Sequence, residues 1–282
     1  MTPTRPSRFG TTARYVSQTE VHVFALSIAA SVLLSFYPFL IVMVSLCKYA
    51  FHWPAAVNAI YFALNDYLPG EVGQFIQRNL AVSVASRGKS QFISLALLLF
   101  TANGVFEPLE VALNRVWGVG NNRSYLKNQL LSLFLILLCG SLVLGSFLMT
   151  AVNQEFLKSV FGVPNLPAWL ASTIFKVAAI PITIFALFLV YYILPNRRVP
   201  ARPLIAVSIA VGLVLELLKY VNILLWPFLK SKLQAEYGPF HISVSIVLLS
   251  FVLAMIVLAG AEWSAREHLT APVTAAVTAA AP

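Results

Sequence analysis

The chain has 282 residues, 59% of them hydrophobic and only 10% charged, and its mean hydropathy is +0.83. Ordinary soluble domains carry roughly 25% charged residues, so this composition excludes the soluble globular classes and points to an integral membrane protein. The formal charge of +9 would suggest nucleic acid in a soluble chain, but these bases scatter over helix ends, where anionic lipid headgroups attract them. The expected partners are therefore membrane lipids and no nucleic acid.

Six apolar runs are long enough to cross a hydrocarbon core of roughly 30 Å at 1.5 Å per residue: about 21–47, 90–113, 127–152, 169–194, 203–228 and 241–262. The first is too long for the apolar core of a signal peptide and reads as a retained helix. Alternating segments of a β-barrel are absent, so the expected fold is an all-α, polytopic bundle. With the N-terminus inside, ten bases (Arg5, Arg8, Arg14, Arg115, Arg123, Lys127, Arg197, Arg198, Arg202 and Arg266) face the cytoplasm. The short outer loops hold Lys158, Lys230 and Lys232, and the long outer loop 48–89 adds Lys48, Arg78, Arg87 and Lys89, though long translocated loops follow the rule poorly. That asymmetry places both termini inside.

In chain order, residues 1–20 are polar and basic and read as a disordered leader. Ser27, Ser31 and Ser35 recur every four residues in the first span, a spacing for close helix contact. Between 53 and 88 two amphipathic helices are predicted: Val57, Ile60, Tyr61 and Leu64 share one face before Pro69-Gly70, and Val72, Phe75, Ile76 and Leu80 share another. They either lie in the outer interface or cap a cavity between the spans.

The second span carries the densest polarity. At 100° per residue Asn103, Glu107, Glu110 and Asn114 fall within a sector of about 60°. Asn103-Gly104 is a helix-ending pair and Pro108 lacks the N–H that would bond the Gly104 carbonyl, so a break or kink is expected here. The two acids either pair with loop bases such as Arg123 or Arg197, or form a gate or ion site at the inner mouth of a cavity. Pro38 and Pro181 should bend the first and fourth spans.

Further along, Lys176 lies about seven residues inside the fourth span and either snorkels outward or joins a polar site. Glu216 falls near the middle of the fifth span with Lys219 three residues on, which allows self-neutralisation along the helix. The alternative is a midplane site completed by Asn222 and Lys176. Cys47 and Cys139 read as small buried hydrophobes. The tail 267–282 is low-complexity and reads as disordered. No HExxH, GxSxG, CxxC or Walker sequence occurs, and His22, His52, His241 and His268 stand far apart. The reading is therefore of a non-enzyme with no cofactor and no metal site.

The blocks "EVALNRVWGV" (110–119), "YYILPNRRVP" (191–200), "EYG" (236–238) and "LAGAEWSA" (258–265), with "LLSFYPFL" (33–40) in the first span, resemble the YihY/BrkB family of bacterial inner-membrane proteins. Ala29, Ala30 and Ser31 replace aromatics usual upstream in that family. The resemblance implies six spans, both termini inside, and an envelope role linked in some members to serum resistance or to export of lipid or lipopolysaccharide precursors. An older family name, ribonuclease BN, is also implied, but this chain offers no acid cluster outside the membrane to support it.

The leading expectation is a transporter or flippase-like protein in the inner membrane for a lipid-related or anionic amphiphile. Its path residues would be Glu107, Glu110, Asn103, Asn114, Glu216, Lys219 and Lys176, with Arg115, Arg197 and Arg198 near headgroups. The alternatives are a cation/proton antiporter and a non-catalytic membrane scaffold, and homo-oligomer formation is left open.

Overall fold

In hydrocarbon every main-chain N–H and C=O must be satisfied within the segment itself, so apolar runs of this length fold as helices. The computed structural model describes residues 8–67, 71–85, 89–120, 123–151 and 168–279, and every regular element among them is helical. In order these are α1 (Arg8–Val16), α2 (Thr19–Ser45) extended by a π-helical turn (Leu46–Ala50), α3 (Pro54–Tyr67), α4 (Glu71–Ala85) and α5 (Lys89–Val116). Then follow α6 (Tyr125–Ala151), α7 (Ala168–Ile193), α8 (Ala201–Tyr237) and α9 (His241–Ala279). The stop at Pro69-Gly70 lies outside the described residues, as do the side chains of Asn103, Lys176 and Arg266.

Among the described residues, four stretches are long and apolar enough to cross a membrane: Thr19–Ala50, Tyr125–Leu142, Ala201–Asn222 and Leu224–Ala265. At the other two expected positions stand α5 and α7, of 28 and 26 residues. From Ile205 through Ile209, Leu213 and Leu217 to Leu224 and Phe228, α8 presents large apolar side chains that are exposed. Such a face is a liability in water and suits lipid.

The chain forms two compact units: Met1–Leu33, Asn103–Ser132 and Leu187–Pro282 make one, and Leu34–Ala102 with Leu133–Ala186 the other. In the second, the buried side chains of Ile60, Leu64 and Leu80 form a core with Leu40, Met43, Val44 and Cys47, and Val57, Tyr61 and Ile76 pack against it. Val57, Ile60, Tyr61 and Leu64 of α3 and Ile76 and Leu80 of α4 thus close on the end of α2, while the side chains of Val72 and Phe75 lie outside the described residues. Gln77 Nε2 donates to the Tyr61 carbonyl at 2.9 Å and Tyr49 Oη to the Val84 carbonyl at 2.9 Å, which fixes the pair. Both cysteines are free thiols.

In the first unit α8 and α9 pack along each other. The leader read as disordered over 1–20 contains α1, whose Thr12 hydroxyl donates to Glu262 Oε2 at 2.7 Å. The tail is helical to Ala279, as its alanines favour.

Of the break or kink expected in the second span, the break is corrected, because α5 runs unbroken from Lys89 to Val116 with Pro108 inside it. A proline removes one bond of the ladder, which neighbouring helices can make good in a membrane. Gly104 ends nothing: it lets α2 approach, and a Cβ there would lie 2.5 Å from Ser31 Oγ and 3.1 Å from Ser31 Cβ. The serine spacing therefore marks a helix contact at Ser31. Gly104→Ala is expected to lower stability by about 1–2 kcal/mol, and Ser31→Gly in that background to restore most of it. Thermal unfolding in detergent of the three variants checks this.

Candidate functional site

The helix α5 ends in "NRVWGV". Trp117 closes the last turn, Gly118 adopts φ of +67°, Val119 N–H donates to the Asn114 carbonyl at 2.7 Å and Gly118 N–H to the Arg115 carbonyl at 3.1 Å. This paired bonding is a Schellman cap, which needs a residue able to take positive φ just past the helix. It turns the chain so that Arg123 comes back over the end of α5.

Glu110 is 2% exposed, on a stretch of α5 where Phe106, Leu109, Leu113 and the following Trp117 are also buried. Its Oε1 faces Arg123 Nη1 and Asn114 Nδ2, each at 3.5 Å. The guanidinium makes shorter bonds to main chain: Nη1 to the Leu194 carbonyl at 2.6 Å, and Nη2 to those of Ile193 and Pro195 at 3.0 Å each. Ile193 is the last residue of α7, and Leu194 and Pro195 follow it directly, so Arg123 caps that C-terminus and the turn after it. Asn114 Oδ1 accepts the Asn196 N–H at 2.8 Å, and Arg197 Nη1 donates to the Trp117 carbonyl at 3.2 Å. The blocks 110–119 and 191–200 are therefore bonded partners, tied at both helix ends by side chain to main chain.

Glu107 is exposed on α5, and Arg198 is exposed in the loop after α7. Arg115 pairs with Glu20 where both are largely exposed, a contact worth little in stability. Burial pushes the nearby Tyr15 phenol above its usual range, Arg115 opposing and Glu20 adding to the rise. Glu216 and Lys219 lie one turn apart on α8, both half-buried. Among the described residues Glu216 makes no hydrogen bond or ion pair with the Glu110 cluster. Lys176 belongs to the other compact unit.

Sequence reasoning missed three further buried polar residues. Asn128 and Ser132, one turn apart on α6, and Ser208 on α8 are all buried, and Asn128 Oδ1, Ser132 Oγ and Ser208 Oγ have no hydrogen-bond partner among the described residues. The four-residue spacing of Asn128 and Ser132 within an apolar run was the available signal. Among the described residues no three metal-ligating side chains gather.

Long apolar helices, a lipid-compatible face and a polar junction joining helix ends define a helical integral membrane protein. The chain belongs to the family described as virulence factor BrkB, which it matches over residues 12–280. It is similar to a UPF0761 membrane protein of Chromobacterium violaceum, at 28% identity over 206 residues, 71% of this chain and 47% of that protein. It thus spans about half the length of that relative. UPF0761 membrane proteins of Alteromonas mediterranea (23% over 265 residues, 91% of this chain and 86% of theirs) and Cronobacter sakazakii (24% over 248 residues, 88% and 83%) are also similar. No solved structure matches.

Proposed function

We propose that this protein is a membrane transporter or flippase-like protein for a lipid-related or anionic amphiphile of the bacterial envelope, without enzymatic activity. The observation that carries the reading is that the buried oxygens Asn128 Oδ1, Ser132 Oγ and Ser208 Oγ have no hydrogen-bond partner among the described residues. Buried polar groups are paired in the great majority of cases, and inside a bilayer an unpaired one is costlier still. Oxygens kept in this state suit a path that water or a polar headgroup wets. Glu216 and Lys219 extend that polarity along α8, and Glu107 and Glu110 lie toward its proposed inner end. The Glu110–Arg123 junction holds the helix ends there, with Arg115, Arg197 and Arg198 near headgroups.

The scaffold reading draws on a different observation, the bonding of Arg123 to three carbonyls, which is how structural glue behaves. Ser132→Ala and Glu216→Gln separate the two. In a path, both lower the flux of a fluorescent anionic lipid analogue in proteoliposomes by about tenfold, while Ser132→Ala leaves the unfolding temperature equal or higher because an unpaired buried hydroxyl is gone. Wild-type flux from both variants contradicts the path. A flux that instead follows a pH gradient with a small cation would favour an antiporter.

A further inference from the structure

The π-helical turn Leu46–Ala50 and the residues after it build a feature that the path does not use. Single π turns often mark functional positions. Here Phe51 N–H donates to the Leu46 carbonyl at 2.9 Å and Trp53 N–H to the Cys47 carbonyl at 2.8 Å, and between them His52 takes a φ of +48°. A non-glycine residue in that region is strained and persists only where its surroundings hold it. The strained turn opens onto a cavity of about 370 Å³ between the π turn, α3 and α4, all within one compact unit.

The cavity's chemistry is one-sided. Lys48, His52, Trp53, Asn58 and Tyr61 stand around it over a floor that includes Val84, and no Asp or Glu lines it among the described residues. The Lys48 ammonium sits 5.4 Å from the centre of the Tyr49 ring, held by a cation–π contact that leaves its hydrogens free to point elsewhere. Tyr49 is itself fixed by its bond to Val84. Burial pushes the Tyr61 phenol above its usual range, so it stays a neutral donor. Trp53, 47% exposed, is the amphipathic type found where membrane meets water. The volume is at the small end for ligand sites, enough for a headgroup.

We propose that this cavity binds a phosphate-bearing anion, with Lys48 as the counter-charge, Asn58 and Tyr61 as hydrogen-bond donors, and Trp53 at the rim. The inference is independent of transport, since it concerns binding alone. Two sources supply that chemistry, an anionic phospholipid headgroup and free phosphate, and the test separates them.

The purified full chain in a neutral detergent is titrated calorimetrically with dihexanoylphosphatidylglycerol, and separately with inorganic phosphate. Saturable binding is expected from one or both. Binding by the lipid alone assigns the headgroup, and binding by phosphate with equal strength assigns the free anion. Lys48→Gln should weaken either by about tenfold, Asn58→Ala by less, and Lys48→Arg should retain it. Lys230→Gln, an exposed lysine on α8, should change nothing. Lys48 is exposed, so its variants keep the wild-type unfolding temperature. Absence of saturable binding by both probes, or affinity unchanged in Lys48→Gln, overturns the proposal.

Discussion

Gly260→Leu is expected to destabilise the protein by about 3 kcal/mol or more, at the upper end of overpacking costs. Gly260 lies on α9 where α8 and the end of α7 meet it. A Cβ there would fall 2.4 Å from Val211 Cγ2, 2.9 Å from Tyr191 Oη and 3.3 Å from Val207 Cγ1. Valine has one favoured rotamer in a helix, so Val211 cannot swing aside as Ser31 can at Gly104. Tyr191 is fully buried and its hydroxyl donates to the Val257 carbonyl at 2.8 Å, so it too is fixed. Val211→Ala in the Gly260→Ala background should recover part of the loss, because the two side chains compete for one space. Unfolding temperature and folded yield in detergent measure both variants, and a Gly260→Leu protein as stable as wild type would contradict this packing.

Arg123→Met carries the second large effect, expected at about 3–5 kcal/mol, the range for removing one partner of a buried ion pair. Two losses combine. The carbonyls of Ile193, Leu194 and Pro195 lose the donor that capped α7, and Glu110, 2% exposed, loses its counter-charge. The Arg–Glu contact is long at 3.5 Å, yet in a site shielded from water an opposite charge at that distance still matters. Arg123→Lys should recover only a fraction, since a single ammonium cannot span three carbonyls as a planar fork does. The readout is again unfolding temperature, with the Arg115→Met variant as control. Its partner Glu20 is exposed, so its loss should be within about 1 kcal/mol.

Much of the helical architecture is legible in the sequence because its signals are local. Apolar length marks the apolar helices, and the shared faces of α3 and α4 follow from 3.6-residue spacing, whereas their burial against the end of α2, seen at Ile60, Leu64 and Leu80, does not. What misleads is ambiguity of the small residues. Asn103-Gly104 looks like a helix end, but a glycine that ends a helix and a glycine that admits a neighbour cannot be told apart without knowing what lies opposite. The true end is at Gly118, and only the bonding of Val119 and Gly118 back to Asn114 and Arg115 distinguishes it.

The candidate site divides in the same way. Arg123 is legible as a partner for the acids, since only a loop separates them. Its main-chain partners lie about seventy residues away, and nothing in "YYILPNRRVP" announces that it awaits a donor. The bond from Thr12 to Glu262 spans 250 residues and is equally silent. The cavity beside Lys48 escapes because its residues fall where a span was ending, and the strain at His52 is a property of the backbone alone. The family blocks thus gain a physical meaning. Blocks 110–119 and 191–200 are bonded to each other through Asn114 and Arg197, with Arg123 from the following loop capping α7, and 258–265 supplies both the close approach at Gly260 and the acceptor for Thr12.

A double-mutant cycle at Glu110 and Arg123 tests most directly whether these blocks are held together through the buried charge. Glu110→Gln, Arg123→Met and the double variant are compared by unfolding free energy in the same detergent. The double variant should be more stable than the sum of the single losses by about 1–3 kcal/mol, because Arg123→Met alone strands a charge that Glu110→Gln removes. Losses that add to within about 0.5 kcal/mol would show Glu110 and Arg123 to be independent and would contradict the account.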